Sequence, residues 1–141
     1  MHADRQTEVA VDATIKKLTD AYKRRNLEKL MECFAPDADL VLYGTGADEK
    51  RIGPAQVRAQ VERDWAQTES IEISFAWKSI SAAGTVAWVA ADGSFKARAA
   101  GQDMGFPVRA SFVLEKRGGE WLVVHSHFST PASGQGEGRS V

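Results

Sequence analysis

Cysteine is nearly absent: Cys33 stands alone, so no internal disulfide can form, and the fold has to be held by its core. Proline and glycine are sparse, 4 and 12 in 141 residues, which excludes a collagen-like or low-complexity chain. No apolar run approaches the roughly 20 residues of a membrane helix, and the polar start MHADRQTEVA lacks the apolar middle of a signal peptide. No membrane association is expected, and a cytoplasmic location fits best. Charge of one sign is lacking too. With 18 basic and 19 acidic side chains there is no field to attract nucleic acid. The densest basic run, YKRR at 22–25, reads as the solvated end of a helix, where cations favour the negative pole of the dipole. There is also no G-x-S-x-G, no Walker-type loop and no glycine fingerprint after a strand.

What is present is a 43% hydrophobic chain long enough to bury one core, expected as a single domain over residues 1–131 with a flexible tail at 132–141. Val11, Ile15, Leu18 and Tyr22 recur at helical spacing, predicting an amphipathic helix over about 5–25. Asn26 caps a short helix carrying Leu27, Leu30, Met31 and Phe34, closed by Pro36. DADLVLYG at 37–44 reads as a strand and GTGADEKRIG at 44–53 as a connection. Pro54 opens a third helix with Val57, Val61 and Trp65 on one stripe. From residue 70 the period changes to two, and four segments ending in EWLVVHSHFS predict four antiparallel strands. Helices followed by a sheet with one apolar face make an α+β domain.

The last strand sets two histidines, His125 and His127, on one face. A three-residue RGG loop would pair Lys116 with Glu120. It would place Val108, Ala110, Phe112 and Leu114 with Leu122, Val124, Ser126 and Phe128 inside. Arg109, Ser111 and Glu115 would lie outside with Trp121, His125 and His127. A two-residue loop would mix Arg109 with Phe128, a worse pattern. Zinc needs at least three protein ligands, and the only other histidine is His2 in the N-terminal segment, so no metal site is expected. Cys33 reads as a small core residue.

The order of elements, with FAPDAD at 34–39, Ala87-Trp88-Val89 and the ending W-L-V-V-H-S-H-F-S in register, resembles the nuclear transport factor 2-like superfamily over about residues 7–131. Within it the sequence is most similar to SnoaL-like domains and to the association domain of calcium/calmodulin-dependent protein kinase. The resemblance implies a cone, a curved antiparallel sheet wrapped around the N-terminal helices with a pocket at one end. It also implies a homodimer or larger ring formed through the outer sheet face.

In ketosteroid isomerase, a catalytic relative, a carboxylate base and a tyrosine carry the reaction; ungapped alignment puts Leu42 and Leu18 at those positions, and neither can move a proton. The final-strand acid of SnoaL-type cyclases falls at Ser126. The arginines of the kinase domain fall at Ala90, Phe112 and Phe128, so an anion pocket is not implied. What remains is an apolar cavity expected to include Tyr22, Tyr43, Trp65, Trp88, Phe112, Ser126 and Phe128, with Asp64 and Asp92 the candidate acids for any isomerase- or cyclase-type proton transfer. The expectation is a domain that binds a small, mostly apolar molecule without a cofactor. The rival expectation is an oligomerisation module without chemistry, built on Arg109, Trp121, His125 and His127.

Overall fold

The computed structural model describes all 141 residues. Helix α1 spans Arg5–Arg24: the Asp4 carboxylate accepts the Thr7 amide (2.8 Å), Glu8 favours the positive pole, and Arg25 ends the helix in the left-handed conformation. Its stripe of Val11, Ile15, Leu18, Ala21 and Tyr22 is buried. Asn26 caps the five-residue α2, Leu27–Met31. Short strands β1 (Val41–Tyr43) and β2 (Lys50–Ile52) follow, then α3 (Pro54–Ala66), entered through Gly53 at φ 82°. The remaining strands are β3 (Ser70–Ala83), β4 (Val86–Ala99), β5 (Gln102–Arg117) and β6 (Glu120–Ser129).

These form one curved, unclosed six-stranded sheet in the order β2-β1-β6-β5-β4-β3, antiparallel except where β1 runs parallel to β6. The β3 edge is partly covered by the N-terminus, whose Ala3 amide donates to the Ile80 carbonyl at 3.1 Å. The architecture is α+β, as the element order predicts, with helices packed into the concave face. The second strand of the β1–β2 pair is an addition to the expected elements: Lys50–Ile52 lies within a segment that reads as a connection, because its three residues alternate too briefly to show a period. No helix is long and apolar enough to cross a membrane.

The β5–β6 hairpin departs from the expected register. Its loop has two residues, Gly118 and Gly119, at φ 56° and 85°, the pair of positive angles a tight hairpin turn of this length requires and glycine accepts freely. Arg117 therefore pairs with Glu120. Between Val113 and Leu114 the register shifts, and Val124 becomes an extra residue on β6. The bulge reverses side-chain parity along the strand. Trp121 and Val123 are buried on one side of it, and Ser126 and Phe128 face inward on the other, opposite Phe112 and Ala110. The expected outer position of Trp121 is thus corrected: it is only 6% exposed, inside the core, while Leu122 and Val124 are not the inward residues.

Candidate functional site

The concave side of the sheet and helices α1 and α3 enclose a cavity of about 90 Å³. Helix periodicity aims its polar wall. Along α3, residues 57, 60, 61 and 64 fall on one stripe, so Gln60 and Asp64 point the same way as the buried Val57 and Val61. From α1, Leu18 and Tyr22 reach in, one turn apart. The sheet contributes Leu42, Ile73, Phe75, Phe95, Val108 and Phe128. Gly44 and the exposed Thr45 mark the solvent end.

At the polar wall the Tyr22 hydroxyl donates to Asp64 Oδ2 (2.8 Å), and Gln60 Nε2 donates to Asp64 Oδ1 (2.7 Å) and to Glu49 Oε1 (2.8 Å). Gln60 Oε1 accepts from Arg51 Nε at 2.8 Å, so this buried amide, 4% exposed, is fully satisfied. Arg63 binds Asp48 at 2.8 Å and lies 3.7 Å from Glu49. Both arginines stand behind the wall, and no Lys, Arg or His lines the cavity.

Burial pushes the Asp64 carboxyl above its ordinary range, against the lowering effect of the Tyr22 and Gln60 hydrogen bonds and of Arg63 and Arg51. Burial also pushes the Tyr22 phenol upward, and the neighbouring Asp64 charge adds to it, so Tyr22 stays protonated and donating. A carboxylate in this setting can take and return a proton. Cys33, buried outside the cavity, has its thiol pushed up to about 11 by burial and is no nucleophile.

Of the residues read from the sequence, Tyr22, Asp64 and Phe128 meet at the cavity. Three others support it from behind. Trp65 Nε1 donates to the Tyr22 carbonyl at 3.0 Å; Phe112 packs edge-on against Phe75 and Phe128, at 6.0 and 5.6 Å between ring centres; Ser126 is buried between Leu42 and Phe112 by register.

Three expected cavity residues lie elsewhere. Tyr43, adjacent to Leu42 and so of opposite parity, packs in a tilted arrangement against His127 on the outer side, 5.1 Å between ring centres. Trp88 alternates with the buried Ala87 and Val89 and is 36% exposed on the outer face; Asp92, sharing its parity, lies outward opposite Arg109. His125 and His127 occupy that outer side as expected. Leu18 and Leu42 both line the cavity as apolar wall. Gln60, Glu49 and the rings of Phe34, Phe75 and Phe95 join the site without having been singled out by the sequence. A signal for Gln60 exists, as a polar residue within the Val57/Val61 stripe.

The chain belongs to the SnoaL-like domain family, whose model matches residues 11–133. Among solved structures it is similar to a candidate dehydratase of the nuclear transport factor 2-like family from Streptomyces avermitilis, at 20% identity and a TM-score of 0.83, over 91% of this chain and 99% of that one. It is also similar to a candidate calcium/calmodulin-dependent protein kinase II association domain from Xanthomonas campestris, at 24% identity and 0.76, over 87% and 86%. A candidate scytalone dehydratase from Novosphingobium aromaticivorans matches at 13% identity and 0.80, over 89% and 85%. At these identities the likeness establishes the fold alone. No curated protein matches the chain.

Proposed function

We propose that this SnoaL-like domain binds a small, mostly apolar molecule in the cavity between α1, α3 and the sheet, with Asp64 as the group that accepts and returns a proton. The observation that carries this reading is the Asp64 carboxylate, held at the polar wall of a mostly apolar cavity by the Tyr22 hydroxyl at 2.8 Å. A buried carboxylate with a raised proton affinity destabilises a fold at neutral pH, and such groups concentrate at working sites. The fold also supports dehydratases among its candidate members, so proton transfer is within its range. The ligand is compact: a cavity of about 90 Å³ is smaller than the roughly 150 Å³ that holds benzene, so a single ring or short chain fits only with part of it in the open end at Gly44 and Thr45. The test is native mass spectrometry of the purified chain, then denaturing analysis of what it releases. A small molecule released from the chain, and absent from a Val108→Phe variant that fills the cavity, supports the reading.

The second reading is homo-oligomerisation through the outer sheet face. It is favoured by Trp77 and Trp88, which stand 53% and 36% exposed on that face beside the cross-strand pair Asp92 and Arg109, and by the likeness to a kinase association domain. A twofold axis passing between Asp92 and Arg109 would set Arg109 of each copy against Asp92 of the other. His125 and His127 complete this surface. An empty dimer or ring in the same mass spectrum would favour this reading and count against the first.

A further inference from the structure

The hydrogen-bond inventory of the cavity wall restricts what can bind there. The side-chain donors that line the cavity short of its open end are committed; the unpartnered Ser126 hydroxyl is buried behind the wall and does not line it. The Tyr22 hydroxyl donates to Asp64, the two Gln60 N–H groups to Asp64 and Glu49, and the Thr19 hydroxyl to the Lys16 carbonyl at 3.2 Å. Arg51 and Arg63 are turned onto Gln60 and Asp48 and do not reach the cavity. The remaining side-chain donor is the Thr45 hydroxyl at the exposed end.

Acceptor capacity remains, by contrast. An ionised carboxylate offers about four lone-pair sites, and Asp64 uses two; Tyr22 Oη keeps its own lone pairs. A carbonyl, carboxylate or phosphate placed here would set lone pairs against lone pairs in a buried site, leaving both unsatisfied. A hydroxyl brings one donor but must also place its own lone pairs. A primary ammonium brings three donors and no acceptor, and its charge offsets the Asp64 carboxylate, which has no ion-pair partner, whereas Glu49 already faces Arg63 at 3.7 Å. The rest of the cavity suits the same ligand, because Phe34, Phe75, Phe95 and Phe128 line it and aromatic rings both attract a cation and pack against an apolar body.

We propose that the cavity takes a small primary ammonium carried on a single ring or short apolar chain, with its N–H groups on the Asp64 carboxylate. The inference rests on the reading of the cavity as a small-molecule site and narrows its ligand class. The test is calorimetric titration of the full chain at pH 7.5 with benzylamine, benzyl alcohol and benzoate, which share one ring and differ in charge and donor count. Benzylamine is expected to bind about tenfold more tightly than the alcohol, and benzoate not measurably, the difference being that of a charge-assisted against a neutral hydrogen bond.

Asp64→Asn should bring the amine down to the level of the alcohol. Tyr22→Phe, which keeps the carboxylate and frees one of its oxygens, should retain the amine preference, so a folding defect in one variant does not decide the outcome. Equal or tighter binding of the alcohol, any binding of benzoate, or an amine preference that survives Asp64→Asn would remove the cation while leaving the cavity as a binding site. Failure of all three probes to bind would overturn the cavity reading itself.

Discussion

Replacing Gln60 by Glu keeps the shape of the side chain and its acceptor for Arg51, but deletes both N–H donors and sets a third carboxyl between Asp64 and Glu49. The bonds lost are 2.7 and 2.8 Å long and both end on carboxylates. Such bonds contribute roughly 1.5 to 3 kcal/mol each. Glu49 is partly exposed, and Arg51 stays in place to offset the new charge, so a net loss of about 3 kcal/mol is expected at pH 8. For a chain of 141 residues the unfolding entropy is about 0.3 kcal/mol/K, and Tm should fall by about 10 °C.

The loss should depend on pH with a definite sign. Burial beside like charges holds the new carboxyl above its unfolded pKa. Its contribution to stability is therefore complete below the unfolded value and is lost as pH rises through the folded one. Thermal unfolding followed by circular dichroism at pH 5 and pH 8 should show the deficit of Gln60→Glu shrinking at the lower pH, where the introduced carboxyl is protonated and can donate again. A variant as stable as the parent at pH 8, or a deficit that does not change with pH, would refute the claim that Gln60 holds two carboxylates apart.

Asp64 itself follows the same rule: its carboxyl, raised from the ordinary 3.8 by burial, withdraws stability as pH climbs from that value through the folded one. Asp64→Asn should then melt at or above the parent temperature at pH 7.5 and show a flatter pH dependence across that window. Phe112→Ala removes a fully buried ring wedged between Phe75 and Phe128 and should destabilise by about 4 kcal/mol in chemical denaturation, with an unchanged m-value. Gly93→Ala should lower stability by about 3 kcal/mol or abolish soluble expression, because a β-carbon there overlaps the Ser74 carbonyl across the β3–β4 bulge. Trp88→Arg should leave binding in the cavity untouched, since this ring is on the convex face; a loss of binding would contradict that placement.

The long elements were legible because their periods run on for many residues. Val11 to Tyr22 repeats over three turns of α1, and the strands from 70 onward alternate long enough to declare both type and face. Proline, asparagine and paired glycines marked the ends where the chain does turn. What hid the register of the final hairpin is local. A continuous apolar run, WLVV, carries no parity of its own, so the two-residue loop and the bulge at Val124 compensate each other in a way the pattern cannot reveal.

The same parity question misplaced Trp88 and Asp92. In VAWVAAD, residues 86–92, both alternating sets begin with small or apolar side chains, and only the register of β4 on β5, which sets Ala87 and Val89 opposite the buried Leu114 and Phe112, decides which set faces the helices. Asp64 was legible as an acid beside an apolar helical stripe. Glu49 was not, because it reaches the wall from a short irregular segment whose path depends on β1 and β2.

The measurement that tests the central claim most directly is methyl NMR of the full chain titrated with benzylamine. The account predicts saturable shifts of the Leu18, Leu42, Val61, Ile73 and Val108 methyl groups, which line the cavity, while Val113 on the outer face stays still. Shifts confined to Val113 and its neighbours, or no saturable shift at any cavity methyl, would contradict it.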